Sequence, residues 1–430
     1  MAVTATLADR LVARYLAATP KSRAYHERAV QALTGGTTRT TVFFDPYPPC
    51  VERGQGATVW DLDGTPRIDF LNNYTSLILG HAHPVVVEAV RWAAERGSAF
   101  AAPTENELRL AELIKARVPA VERLRFTNSG TEATMFALRC ARAVTGRPLV
   151  AKFEGGYHGT HDYAASPAGV GIPDEVKALV LDLPFNDADG TERLLAQHRD
   201  RVAAVIIEPV QGAGGVIPAD RAFLQRLRDL TRAWGMVLIF DEIISFRIAP
   251  GGAQEYYGIQ PDLTTFGKII GGGFPVAAVG GREEVMAAMD QRRGSGYIAH
   301  GGTFNGNPVG TAAGIATLEL LTPDVYQRLN ALGERVRMGL GDLFERRGVP
   351  ASVTGIGSLF NIHATRAPIH DSRAVQRGDA AYLRALMLGL LLEGFWLAPR
   401  GMGCISTPMD EGTVDALVDA TERVLDELTA

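Results

Sequence analysis

The sequence predicts an α/β protein with a mostly parallel sheet flanked by helices in its large domain and a second, smaller α+β domain. Three observations carry that prediction. First, apolar runs of strand length recur, as in Val202–Ile207 and Met236–Phe240, without the polar alternation of a half-exposed strand. Second, each run ends in polar or glycine-rich residues and is followed by a helical stretch, the order that builds parallel strands. Third, from Pro323 the character changes to long helical stretches with short strand-like pieces between them. The expected division is 1–70 (N-terminal helices and hairpin, part of the small domain), 71–320 (large domain) and 321–430 (C-terminal small domain).

Taken in order, Thr6–Leu33 carries apolar residues at helical spacing (Leu11, Val12, Tyr15, Leu16; then Tyr25, Ala29, Leu33) with a break at Pro20, and so predicts two amphipathic helices. Gly35–Pro49 is irregular, with Arg39 among threonines. Val59–Phe70 alternates around Asp63-Gly64, which predicts a hairpin. Asp61-Leu-Asp63-Gly also begins like a calcium loop but lacks the later oxygen ligands and the closing Glu, so the hairpin is favoured. Gly80-His81-Ala-His83-Pro84 has no Cys or carboxylate cluster to complete a metal site, and reads as a turn before a Pro-opened helix. Beyond the large domain, helices are expected over Val309–Leu321, Asp324–Arg347, Arg377–Leu392 and Val414–Leu428, with strand-like pieces at Ser352–Ile362 and Gly394–Pro399.

Composition narrows the function classes. Lys and Arg number 43 against 48 Asp and Glu, a net charge of −5 without long runs, so no basic field invites nucleic acid or an anionic membrane. Cys50, Cys140 and Cys404 are isolated and odd in number, which fits a reducing compartment. The most apolar stretch, Ala385–Phe395, is shorter than a membrane span and contains Glu393. No apolar signal-peptide core stands at the N-terminus, and the expected location is the cytoplasm.

The chemistry is written at the ends of the strands, where open α/β sheets bind ligands. Met236–Phe240 runs into Asp241-Glu242, and Lys268 follows before Ile-Ile-Gly-Gly-Gly. A buried acid and a later lysine suit pyridoxal 5′-phosphate (PLP). The amine forms a Schiff base, and the carboxylate keeps the pyridine nitrogen protonated so that the ring can act as an electron sink. A strand-end cap and a surface lysine would leave the same residues. Leu124–Ala137 brings a strand into Asn128-Ser129-Gly130-Thr131 and then a helix, so that free N–H groups could cradle a phosphate; an ordinary N-cap has the same residues. Pro148–Gly159 presents Tyr157 and His158 on a glycine-rich turn, where an aromatic could stack on a flat ring. No G-x-G-x-x-G opens a helix after the first strand, which excludes a nucleotide-binding Rossmann unit.

Together S-G-T, G-Y-H-G, E-P-V, D-E-I, the lysine before glycines and G-T-F-N resemble, in order and across nearly the whole chain, the class III aminotransferases of PLP fold type I. That resemblance implies a seven-stranded sheet, with Lys268 and Asp241 as catalytic residues. It implies PLP contacts from Ser129, Gly130 and Thr131 (phosphate), Tyr157 with His158 in support, Glu208, and Ile243 on the ring face opposite Tyr157. It further implies a homodimer with shared sites, in which Thr303 of the Gly301–Pro308 loop touches the neighbour's cofactor.

Within the class two groups are similar. PDLTTFGKIIGGG and GGAQEYYG resemble glutamate-1-semialdehyde aminomutases. GGTTRTTVFFDPYP, SGTEATMFALR, GTFNGN, TGIGSLFN and LAPRGMG resemble β-amino-acid aminotransferases such as β-phenylalanine aminotransferase. Ala213, where the aminomutases carry Asn, and the string Ile405-Ser-Thr-Pro-Met-Asp-Glu depart from the aminomutase pattern. The expected reaction is therefore transfer of an amino group from a β-amino acid to an oxoacid such as 2-oxoglutarate; an aminomutase or a racemase would use the same constellation. By the same resemblance Arg39 would take the β-amino acid's carboxylate, and Arg400 the α-carboxylate of 2-oxoglutarate.

Overall fold

Seven short runs pair into one sheet in the larger of the two units into which the chain divides. We number them β1 (Arg123–Thr127), β2 (Leu149–Phe153), β3 (Val180–Leu183), β4 (Val202–Ile207), β5 (Val237–Asp241), β6 (Leu263–Phe266) and β7 (Ala277–Gly281). The spatial order is β1-β7-β6-β5-β4-β2-β3. All neighbours are parallel except β7, which runs against both β6 and β1. β1, β2, β4, β5 and β6 therefore end at the same edge of the sheet. This computed structural model describes residues 5–164 and 169–429.

Central position explains the uniform apolar character. Every residue of β2, β4, β5 and β6 is buried. The helix α1 (Gly130–Thr145) lays Phe136, Ala137, Cys140 and Ala141 against Val150, Ala204, Ile206, Ile239, Leu263 and Val279. Each such aliphatic side chain contributes roughly 1.5–3 kcal/mol on burial. The edge strand β3 is half-exposed and short, and the sequence carried no strong signal for it.

This unit comprises Pro84–Arg328 with Ile369–Ala374; the other comprises residues up to His83, Leu329–Pro368 and from Val375 on. The smaller unit opens with helices Ala5–Ala18 and Pro20–Ala32, broken at Pro20 as the sequence predicts. Val51–Gln55, Thr58–Asp61 and Pro66–Asp69 form antiparallel strands, and Phe395–Trp396 adds to them in parallel. The calcium-like string serves the fold instead. Asp61 is ion-paired with buried Arg67, and the Asp63 carboxylate accepts N–H from Lys21 (2.7 Å) and Ser22 (3.0 Å), capping the second helix. His81 Nε2 bonds Asp69 Oδ2 at 2.7 Å, and no metal-holding cluster occurs among the described residues.

Two expected elements differ in form. Ser352–Ile362 is a hairpin, Ser352–Ile356 against Leu359–His363, because Gly357-Ser358 turns the chain; Met402–Cys404 completes that sheet. The helix expected from Arg377 begins at Ala380, where the Asp379 carboxylate caps Ala381 N and Tyr382 N. Among the described residues no helix is long and apolar enough to cross a membrane.

Candidate active site

At the shared carboxyl edge of the sheet a pocket of about 210 Å³ is lined by Asn128, Ser129, Gly130, Thr131, Tyr157, Gly159, Glu208, Asp241, Ile243, Ile244, Lys268 and Phe274–Val276. Eight of the twelve residues singled out in the sequence thus meet in one place. Each arrives from a different strand end: Ser129–Thr131 after β1, Tyr157 after β2, Glu208 after β4, Asp241 and Ile243 from β5, Lys268 after β6.

Asp241 ends β5 at 2% exposure. Its Oδ2 accepts from His158 Nδ1 (2.7 Å), and its Oδ1 accepts from Thr265 Oγ1 (3.1 Å) and Ile243 N (3.2 Å). His158 lies behind the pocket wall rather than in it. Its Nδ1 fixes the orientation of the carboxylate, leaving a buried acceptor that lines the pocket. Its Nε2 is buried and has no partner among the described residues. Thr265 was missed in the sequence reading; its register beside Asp241 on the neighbouring parallel strand is the signal that could have found it.

Glu208 is buried and accepts N–H from Tyr157 (2.8 Å) and Gly212 (3.2 Å). Burial, reinforced by the Asp241 charge and opposed by His158, pushes its carboxyl up to about 7. Glu242, next to Asp241, points away from the pocket: its carboxylate accepts from Ala253 N, Gln254 N, Gln254 Nε2 and Ser245 Oγ. Burial pushes it up to about 6 against those donors. The polar stretch after it is thereby folded inward as a short helix, Gly252–Tyr257.

Ser129 caps α1, its Oγ accepting from Glu132 N at 3.2 Å, while the Glu132 carboxylate takes Asn128 N and Ser129 N. The next two N–H groups, of Gly130 and Thr131, have no acceptor in the described chain and open on the pocket at the positive end of a 16-residue helix. Lys268 sits at φ 50°, left-handed for a residue with a side chain, between extended Gly267 and left-handed Gly272. Such strain costs of order 1–3 kcal/mol and clusters at functional sites. An anion seat at a helix end, a fixed carboxylate, a lysine and an exposed aromatic (Tyr157) fit the donor set PLP needs.

Three residues from the sequence reading lie elsewhere. Thr303 is exposed on the loop after His300 and does not line the pocket; Asn305, two residues on, accepts from Asn128 Nδ2 at 2.6 Å. Arg39 and Arg400 belong to the smaller unit, where they approach consecutive residues of one turn. Arg39 Nη2 donates to Asn73 Oδ1 at 3.0 Å, and the Arg400 guanidinium lies 5.8 Å from the Tyr74 ring centroid. Neither arginine pairs with a carboxylate among the described residues. Asn72, Asn73, Tyr74 and Thr75 all have positive φ (48–75°), a left-handed turn costing roughly 1–2 kcal/mol per residue. Asp69 Oδ1 stabilises it by accepting from Leu71 N and Asn72 N, and Asn72 Nδ2 donates to Cys404 O.

Known proteins share this architecture. A family model for aminotransferase class-III matches residues 43–407. A glutamate-1-semialdehyde 2,1-aminomutase of Methanothermobacter thermautotrophicus is 42% identical over 420 residues, 95% of this chain and 99% of its own. The crystal structure of an omega-transaminase from Sphaerobacter thermophilus matches with a TM-score of 0.93 at 48% identity, covering 95% of this chain and 98% of that one. A β-phenylalanine aminotransferase from Variovorax paradoxus matches with a TM-score of 0.93 at 38% identity, covering 98% and 97%. With its seven-stranded α/β sheet, this chain belongs to the class III aminotransferases of fold type I, PLP-dependent enzymes.

Proposed function

We propose that this enzyme moves the amino group of a β-amino acid, aromatic or aliphatic, to an oxoacid such as 2-oxoglutarate. The observation that carries the reading is the pair Arg39 and Arg400: two guanidiniums without a carboxylate partner among the described residues, each beside a residue of the Asn73–Tyr74 turn. An enzyme whose donor and acceptor both bear carboxylates needs such cations, and arginine's planar fork binds a carboxylate through two parallel bonds. Arg39 takes the donor's carboxylate and Arg400 the α-carboxylate of the acceptor. The likeness to a β-phenylalanine aminotransferase over 98% of the chain supports this assignment.

PLP supplies the electron sink when bound. Lys268 is the amine that would hold it and, when free, would serve as the proton carrier at the substrate carbon. Asp241, oriented by His158 and Thr265, would pair with the ring nitrogen and favour its protonated form. Tyr157 and Ile243 would flank the ring and Ser129, Gly130 and Thr131 would take the phosphate, while Glu208 holds the Tyr157 turn. Thr303 serves the site of the other subunit in a homodimer.

A second reading has a specific observation in its favour: 42% identity to a glutamate-1-semialdehyde 2,1-aminomutase. The deciding experiment is a donor panel with 2-oxoglutarate as acceptor, set beside glutamate-1-semialdehyde with no acceptor. Turnover of β-amino acids that requires the oxoacid supports the aminotransferase. Efficient acceptor-free conversion of the semialdehyde sinks it.

A further inference from the structure

We propose that Asn73, held in the left-handed turn Asn72–Thr75, is the positioning residue that presents Arg39 to the substrate carboxylate. The inference rests on the reading that Arg39 receives that carboxylate. An exposed arginine on an irregular loop samples many rotamers, and a two-point carboxylate bond forms tightly only if the fork is already fixed. Asn73 fixes it in a particular way. Its Oδ1 accepts from Arg39 Nη2 at 3.0 Å, and its Nδ2 donates to Ser76 Oγ at 3.2 Å, while Ser76 Oγ donates back to Asn73 O at 3.1 Å. Because a guanidinium offers only donors, the amide oxygen must face Arg39, and Ser76 consumes the other end of the amide. The anchor is neutral, so it orients the guanidinium without cancelling its charge. An aspartate of the same shape would orient it and occupy it.

The turn explains why Asn73 can reach. In an extended strand, residues 73 and 74 would face opposite ways. Here both engage one segment: Asn73 bonds Arg39, and Tyr74 OH donates to the carbonyl of Thr41, two residues further on. The loop bearing Arg39 is thus stapled at two points to consecutive left-handed residues. Tyr74 also presents its ring to Arg400, whose backbone carbonyl is held by Asn361 Nδ2 at 3.1 Å. One strained turn therefore fixes the approach of two arginines that lie 361 positions apart in the sequence.

The test uses the full-length holoenzyme with Asn73→Asp and Asn73→Gly. Asn73→Asp keeps the shape and adds a charge; Asn73→Gly accepts the positive φ and removes the amide. The donor half-reaction is followed spectroscopically with an aromatic β-amino acid and with the corresponding amine lacking the carboxylate. We expect Asn73→Asp to lower the ratio of kcat/KM (β-amino acid over amine) about tenfold, through KM, and Asn73→Gly to lower it in the same direction. A ratio that stays at the parent's value in both variants overturns the inference. So does a parallel loss on both substrates, the signature of a merely structural loop. Arg39→Ala separates the layers. If it leaves the ratio unchanged, the carboxylate reading falls and this inference with it. If it collapses the ratio while both Asn73 variants do not, only the positioning role of Asn73 fails. Melting temperatures identify a variant that has lost its fold, and the other substitution then decides.

Discussion

The strand-end pocket and the arginine turn solve opposite problems. In the pocket the chain satisfies its own carboxylates: Asp241 has three donors, Glu208 two, and both are buried before any ligand arrives. At the turn, Arg39 and Arg400 are exposed and lack a carboxylate partner among the described residues, and the backbone that meets them is left-handed over four residues. A site that must hold one cofactor permanently gains from being fixed in advance. Under the proposed function the turn takes two different carboxylates in alternate half-reactions, and it gains from cations that remain unneutralised until substrate comes. The first region supplies its carboxylates with their own donors, the second withholds a counter-charge from its cations.

The sharpest way to break the first half of this contrast is Lys268→Ala. The pocket's acid and helix end have donors and caps of their own in His158, Thr265, Ile243 N and Ser129. We expect transamination to fall by at least about 10³-fold while PLP still binds measurably, read by activity and by cofactor titration. A variant turning over at the parent's rate would be incompatible with Lys268 as the reacting amine. Next in size are the arginines. Arg39→Ala should weaken the donor half-reaction and Arg400→Ala the 2-oxoglutarate half, each by roughly 2–5 kcal/mol in single-turnover kinetics. Equal loss in both halves for both variants would show that the two cations share one task.

This contrast also governs what was legible in the sequence. Lys268, Asp241, Ser129–Thr131 and Tyr157 each end or follow a short strand of the sheet, so a local pattern and one rule about strand ends locate them. Thr265 escaped because its role comes from register with a neighbouring strand, which no local pattern encodes. Asn73 escaped for a deeper reason. Asn-Asn-Tyr-Thr has no glycine to announce a left-handed turn, and its meaning depends on residues 39 and 400, which only folding brings near it. Glu242 stands beside Asp241 in the sequence but not in the pocket, because four donors turn it into the core.

Glu208 tests whether this provision for the pocket's carboxylates extends to their protons. Its carboxyl is raised from 4.5 to about 7, so the folded protein holds a proton that the unfolded chain gives up. That contribution to stability is fully present below about 4.5 and is lost as pH rises through about 7. Glu208→Gln cannot ionise. Relative to the parent, the cofactor-free variant should therefore gain about 1–3 kcal/mol between pH 5 and pH 8, measured by denaturant unfolding. A difference that stays flat across that range would mean that Glu208 is ionised throughout, and that the pocket carries one more negative charge than burial favours.

The smallest expected effect lies at Gly130, where the end of helix α1 meets Ile243. A Cβ there would stand 2.5 Å from Ile243 Cδ1 but 3.4 Å or more from the rest of that side chain. Only the free end of an isoleucine has to move, and Gly130 has ordinary helical φ, so the unfolded-state gain from alanine (about 0.4–1 kcal/mol) offsets most of the clash. Gly159→Ala makes the useful contrast. Its φ is +95°, and its Cβ would lie 2.6 Å from Thr131 Cα, a backbone atom that cannot rotate away. We expect Gly159→Ala to weaken both fold and cofactor affinity, whereas Gly130→Ala should leave the melting temperature nearly unchanged and lower PLP affinity less than about tenfold. Because that loss comes from displacing Ile243, it should shrink in an Ile243→Val background, which lacks the Cδ1 atom. Undiminished loss there would place the effect in the helix end itself, making the two free N–H groups, rather than the isoleucine, the more exacting part of the seat.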